Sequence, residues 1–210
     1  MSRRRLPFDP NNYLHFTGRT RNRELFPIPI HEVWEIMTEL LYFLNKAYHF
    51  KIVSFVLMPN HFHLIARADT ENLSKGMQHL MCNATRRMHD KTGDINQIWG
   101  SRYFRSELNS FHYFMNAYKY VYQNPVRGKL VARAESYPYS TLHGLLGQSH
   151  LLVPIEPDEL LFEDVENSLE WINVKIEDND VESMRRALGR KVFKLPKVLG
   201  KANRLETDLI

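Results

Sequence analysis

The sequence predicts an α+β fold. The expected architecture is a ferredoxin-like, split β-α-β antiparallel sheet of four or more strands, with helices packed on one face and a further helix following. Three observations carry this expectation. Segments of strand composition and of helical periodicity alternate in the order strand, helix, strand, strand, helix, strand, helix. Pro59-Asn60 is a turn dipeptide between two apolar runs, so the middle strands form a hairpin. The chain has 210 residues, 43% hydrophobic and 25% charged, which suits one globular domain with a full core and neither a disordered nor a fibrous chain.

Residues 1–11 are basic, contain Pro7 and Pro10, and read as an arm. Tyr13-Leu14-His15-Phe16-Thr17 has strand composition, and Gly18-Arg19-Thr20-Arg21-Asn22-Arg23 follows as a polar, basic loop. From His31 to Tyr48 the residues Val33, Met37, Leu40, Leu41 and Leu44 recur at helical spacing. Lys51–Met58 and His61–Ala66 are the two strands of the hairpin. Thr70 is placed to cap a helix whose face carries Leu73, Met77, Leu80, Met81, Ala84 and Met88, and Gly93 lies beyond its end. Arg102–Leu108 reads as a short strand. Ser110 caps a helix to about Gln123, where Pro125 is expected to stop it. Residues 137–155 read as a loop-rich exit, residues 157–190 as one or two amphipathic helices, and the chain after Phe193 as a flexible basic tail. The domain plan is therefore 1–145, the folded unit, and 146–210, a charged appendage that is acidic, then basic, and partly helical.

Composition excludes several classes. The one cysteine, Cys82, permits no internal disulfide and no cysteine-based zinc or iron–sulfur site. No apolar run approaches the ~20 residues of a membrane span, and the basic stretch Arg3-Arg4-Arg5 lacks the apolar segment of a signal peptide. The expectation is a soluble, cytoplasmic protein without a membrane partner. The net charge of +4 and an isoelectric point of about 9.1 favour a polyanionic partner. The charge is unevenly spread. Residues 1–26 hold six arginines against two acids, residues 156–182 hold eleven acids against Lys175, and residues 183–204 hold eight Lys or Arg and no acid. Such blocks suit a solvated tail, or a DNA-contacting basic end beside an acidic neighbour.

Two constellations carry chemistry. In His61-Phe62-His63 the alternation of a strand sends both imidazoles to one side and Phe62 to the other. Two imidazoles on one strand face can chelate a divalent metal, though such a pair also suits ordinary core or surface histidines. In the helix from Ser110, Phe111, Phe114, Met115, Tyr118, Val121 and Tyr122 form one apolar stripe. Tyr118 and Tyr122 are then core tyrosines. Tyr120 lies opposite the stripe, as an ordinary exposed tyrosine would, and Asn124 lies one turn beyond it on the same face.

Met58-Pro59-Asn60-His61-Phe62-His63-Leu64, followed by Tyr120-Val121-Tyr122-Gln123-Asn124-Pro125-Val126-Arg127, resembles the single-tyrosine HUH transposases. The likeness is greatest to the branch associated with bacterial repetitive extragenic palindromes, the REP-associated tyrosine transposases. It extends to Gly18-Arg19, Asn22-Arg23, Leu73-Ser74-Lys75, Met77-Gln78, Trp99-Gly100-Ser101-Arg102-Tyr103 and Tyr137-Pro138-Tyr139-Ser140, and spans roughly residues 12–145. One departure is that Gly128-Lys129 follows Arg127 where the family often reads Ala-Gly.

The resemblance implies that the helix after the sheet carries a catalytic tyrosine, Tyr120, which attacks a DNA phosphate. It implies Mg²⁺ or Mn²⁺ held by His61, His63 and Asn124, with Gln123 an alternative oxygen donor. The implied substrate is single-stranded or hairpin DNA, and the implied location is nucleoid-associated. Phosphates would be held by Arg19, Arg21, Arg23, Arg102, Arg105 and Arg127, with Arg86 and Arg87 also available, and the Gly18–Arg23 loop is the foremost candidate. Trp99 and Tyr103 suit packing better than base stacking. The protein would be a monomer or a homodimer, its tyrosine helix completing its own site or a partner's. Two other functions suit the same residues: a non-catalytic nucleic-acid-binding module, and a metal-dependent nuclease that uses water as the nucleophile.

Overall fold

The computed structural model describes residues 7–210; the basic run at 1–6, part of the expected arm, lies outside them. The strands are β1 (Tyr13–Arg19), β2 (Lys51–Met58), β3 (His61–Arg67) and β4 (Phe104–Leu108), and they form one antiparallel sheet in the order β2-β3-β1-β4. α1 (Ile30–Tyr48) connects β1 to β2, and α2 (Thr70–Thr92) connects β3 to β4. This is the split β-α-β arrangement expected from the order of elements, with β3 inserted between β1 and β2.

Alternation along the strands divides the sheet into two chemically distinct faces. Leu14 and Phe16 of β1, Phe55 and Leu57 of β2, and Phe62 and Leu64 of β3 are buried under α1 and α2. Gly18 faces Phe62 across the ladder, and a Cβ there would lie 2.6 Å from the phenyl ring, so the absence of a side chain leaves room for that ring. His15, Thr17 and Arg19, with His61 and His63, belong to the opposite face. On that face packs α3 (Phe111–Tyr122), whose N-cap Ser110 accepts a hydrogen bond from the Tyr113 amide.

Several local expectations are revised. Thr70 is the first residue of α2 and Asp69 occupies the cap position. Phe111, placed on the buried stripe of α3 by periodicity, is exposed because it sits in the first turn, at the rim of the contact. α3 ends at Tyr122 with Gln123 as its C-cap, where the end was expected, but the chain does not leave helical geometry before Pro125. After Gln123 the chain continues as α4 (Asn124–Arg127), with Pro125 in the first turn, where its missing N–H has no helical acceptor to lose.

The segment beyond residue 140 forms α5 (Thr141–Leu145), α6 (Glu159–Glu163), α7 (Val165–Asn173) and α8 (Asp178–Leu188). Leu161, Ile172, Met184 and Leu188 share one buried cluster with Tyr118, Val121 and Tyr122 of α3. The chain after Phe193 is not a solvated tail, since Phe193, Leu195 and Leu205 are buried in that same cluster. The eight basic residues of 183–204 sit on a framework of apolar anchors spaced too irregularly for a periodicity argument to reveal.

Both edges of the sheet are occupied by this later part of the chain. At β4 the Glu107 amide donates to the Lys191 carbonyl, and the Phe193 amide donates to the Glu107 carbonyl. At β2 the Leu57 amide donates to the Tyr139 carbonyl, and the Glu156 amide donates to the Ile52 carbonyl.

Candidate active site

The site is built on the sheet face that α3 covers. β3 begins directly after the Pro59-Asn60 turn, and its two-residue period puts His61 and His63 on that face, ring centroids 5.1 Å apart and nearly perpendicular. Asn60 fixes the orientation of His61. Its amide nitrogen donates to the Arg23 carbonyl at 2.8 Å, so its Oδ1 is the atom 2.6 Å from His61 Nδ1. An amide oxygen can only accept, so Nδ1 carries the proton and Nε2 presents a lone pair.

His63 has a partner that periodicity within β3 does not reveal. Thr17 of β1 pairs with His63, and His15, two residues away on the same face, brings its Nε2 to 2.8 Å from His63 Nδ1. All three imidazoles are held below the usual histidine range, chiefly by burial: His15 and His61 to about 3, and His63 well below its ordinary value. His61 is depressed further by Arg19, and His63 by its neighbouring histidines, Arg19 and Arg127. Three neutral rings therefore meet at one place.

α3 supplies the hydroxyl. Tyr118 and Tyr122 turn into the core, as the stripe predicts. The Tyr118 hydroxyl donates to Asp158, and that of Tyr122 lies 3.1 Å from Thr141 Oγ1. Burial pushes both phenols above the ordinary tyrosine range. Tyr120 leaves the stripe but is not exposed: it is 5% accessible, because α3 lays this side of itself on the sheet. Its ring stands edge-on to His63 with centroids 6.1 Å apart, and the Arg127 guanidinium lies 4.9 Å from its centroid.

Asn124, 8% exposed, donates its amide nitrogen to the Tyr120 carbonyl at 2.9 Å, which leaves its oxygen as the available donor atom. Gln123 is committed elsewhere, its amide nitrogen donating to the Ile172 carbonyl at 2.6 Å on α7. Among the described residues no group of three or more His, Cys, Asp or Glu is poised for a metal. The candidate donors are two imidazole nitrogens and one amide oxygen, a set that suits a divalent cation with open positions for phosphate oxygens and water.

In front of Tyr120 is a cavity of about 270 Å³ lined by His15, Thr17, Arg19, His63, Arg102 and Arg185, among others, with no acid in its lining. Arg19 ends β1 in register with His61. Arg102 follows Trp99, which is buried against Phe62 at 5.7 Å as a packing residue, while Tyr103 packs at 6.0 Å on Phe16. Arg185 comes from α8 and is the site residue that local sequence patterns give no means of finding. Arg21 and Arg23 are exposed in a short 3-10 turn outside this cavity. Arg105 lies over the Phe8 ring at 4.3 Å and lines a larger groove of about 1040 Å³ between α2 and β4. Arg87 pairs with Glu39 on the far face of the sheet.

Three comparisons bear on this arrangement. The profile of the family described as "Transposase IS200 like" matches residues 10–124, a stretch from ahead of β1 to Asn124 that holds His15, His61, His63 and Tyr120. The chain belongs to the IS200-like transposase family. A Haemophilus influenzae protein named "Putative REP-associated tyrosine transposase" is 24% identical over 109 residues, covering 47% of this chain and 62% of that one, so the match spans less than two thirds of the relative. The solved "Structure of the REP associates tyrosine transposase bound to a REP hairpin" shares the fold, with a TM-score of 0.56 and 19% identity over 75% of this chain and 93% of the other. Both are REP-associated proteins, the branch that the motifs of this transposase resemble. Among its described residues no helix is long and apolar enough to cross a membrane. α8, with Arg185, lies outside the matched profile and yet reaches the transposase cavity.

Proposed function

We propose that this transposase cleaves and rejoins single-stranded or hairpin DNA, with Tyr120 as the nucleophile. The observation that carries this reading is the position of Tyr120, buried against His63 and beneath Arg127 at a cavity without acids. A phosphodiester is an anion, and Arg19, Arg102, Arg127 and Arg185 surround the place it would occupy. The Tyr120 oxygen attacks phosphorus and the P–O3′ bond breaks. The DNA 5′ end becomes a phosphotyrosine ester, the phenol proton is released, and the departing 3′ oxygen is protonated to a free hydroxyl. Attack by another 3′-hydroxyl reverses the step and joins strands without an external energy source. The proton can leave during attack, so a stable tyrosinate is not required. His61, His63 and Asn124 would hold Mg²⁺ or Mn²⁺, which polarises the phosphate when bound. Tyr120 meets His63 of its own chain, which supports a site complete within one copy. The fold relative solved bound to a REP hairpin supports hairpin DNA as the ligand class.

The test is a denaturing gel of protein with end-labelled hairpin DNA and Mn²⁺. A covalent band is expected, lost in EDTA and in His61→Ala or His63→Ala variants that remain folded. Cleavage without a covalent band would indicate water as nucleophile, and binding without cleavage would indicate a recognition module.

A further inference from the structure

We propose that His15 is a positioning residue that holds the proton of His63 on Nδ1 and thereby turns the Nε2 lone pair toward the metal. The inference rests on the reading of His61 and His63 as metal ligands. His63 Nδ1 lies 2.8 Å from His15 Nε2, so that ring nitrogen is engaged within the protein and Nε2 is the one left for a ligand. Two neutral imidazoles share one proton across such a contact. If His15 donates, His63 carries its other proton on Nε2 and cannot bind a cation. If His63 donates, its Nε2 is a lone pair and His15 carries its own proton on Nδ1.

The second arrangement is the one that leaves both ligands with a free Nε2, and it does so although it puts the His15 proton on an Nδ1 with no acceptor. Asn60 imposes the same state on His61, whose Nδ1 faces an obligate acceptor, so the pair presents two Nε2 lone pairs only when His63 follows suit. His15 itself is 1% exposed on the central strand β1, and its Nδ1 has no hydrogen-bond partner. A buried imidazole left half-satisfied has no evident structural purpose, since an apolar side chain would fill the same space without the unpaired atom. Its one engaged nitrogen is the one that faces His63. His15 thus stands to His63 as Asn60 stands to His61: each ligand has a partner behind it that sets which nitrogen is free.

The experiment measures Mn²⁺ affinity by titration calorimetry for the wild type and for His15→Phe, His15→Gln and His63→Ala, with folding checked by circular dichroism. Loss of an outer-shell partner weakens metal binding by ~10–100-fold. His15→Phe is expected in that range, and His15→Gln, whose amide oxygen can accept from Nδ1–H, is expected to recover part of the loss. A nitrogen-15 spectrum of the metal-free protein should place the His63 proton on Nδ1 in the wild type, and on Nε2 or both nitrogens in His15→Phe. Wild-type affinity in His15→Phe, or a wild-type His63 protonated on Nε2, would overturn the role of His15 alone. Absence of Mn²⁺ binding in the wild type, or its survival in His63→Ala, would instead overturn the metal reading beneath it. If His15→Phe fails to fold, His15→Gln and the wild-type nitrogen spectrum still decide.

Discussion

The Arg127 guanidinium lies over the ring of Tyr120, its central carbon 4.9 Å from the ring centroid, and its Nη1 is buried without a hydrogen-bond partner. A buried N–H with no acceptor is a standing deficit that an incoming phosphate oxygen removes. Removing one such preorganised donor lowers the chemical step by ~10²–10³-fold in comparable sites. Arg127→Met is therefore expected to slow single-turnover formation of the covalent adduct by about that factor, with hairpin affinity changed far less. Arg127→Lys is expected to rescue poorly, because an ammonium neither stacks on the ring nor presents a fork. Equal rates in wild type and Arg127→Met would remove Arg127 from the chemistry.

The tyrosines of α3 separate by role. Tyr120→Phe is expected to abolish the adduct and keep hairpin binding. Tyr122→Phe deletes a buried hydroxyl whose partner, Thr141 Oγ1, also accepts from the Phe55 amide. Its stability loss is expected to be about 1 kcal/mol, with the adduct retained. Gel assay and thermal unfolding of both variants check this, and an adduct lost in Tyr122→Phe but kept in Tyr120→Phe would reverse the assignment.

Lys119 is buried beside Tyr120 in sequence, with its ammonium 5.3 Å from the centre of the Trp171 ring, and burial lowers its pKa to about 8. The unfolded chain has an ordinary lysine of pKa ~10.4. Between these values the unfolded state binds more protons, so stability rises with pH across that window. The contribution is complete above the unfolded pKa and is lost as pH falls through about 8. Lys119→Met is expected to be more stable than the wild type at pH 7, with the gap in melting temperature closing toward pH 10.5. A gap independent of pH would show that the ammonium is solvated.

Arg185 offers a test of how the basic block meets DNA. Each phosphate contact to a single strand contributes ~0.7 to the slope of log affinity against log salt. Arg185→Ala is expected to flatten the slope by about that amount for single-stranded ligand. Truncation after Glu182 is a poor substitute, because it removes the buried Met184, Leu188, Phe193 and Leu205. It is expected to abolish cooperative unfolding. An unchanged slope in folded Arg185→Ala would take this arginine off the DNA path.

The parts of the site that were legible in sequence obey short-range rules. Strand alternation put His61 and His63 on one face, and helical period separated Tyr120 from its core neighbours Tyr118 and Tyr122. That period places Tyr120 off the stripe and leaves open whether it is solvent-exposed; its burial follows from the sheet covering a second side of α3, which periodicity does not specify. His15 depends on the register of β1 against β3, which pairs Thr17 with His63, and no pattern inside either strand specifies it. Arg185 reaches the cavity through the packing of α8, a contact distant in sequence and set by Met184 and Leu188 rather than by the charged residues that dominate that stretch. The end of α3 near Gln123 is legible, whereas the short α4 behind it is not, because a proline both ends one helix and is tolerated in the first turn of the next.

The backbone bonds of residues 191–193 to β4, and of residues 139 and 156 to β2, have a consequence for self-association. An uncovered outer strand is a template onto which a second molecule can add its own. Here each outer strand is already engaged, on one side by a stretch that ends in the buried anchor Phe193. Two molecules could merge their sheets into a continuous ribbon only after peeling off one of these stretches. The bonded positions, Glu107 on one edge and Ile52 and Leu57 on the other, are thereby closed to a second molecule for as long as these stretches stay in place.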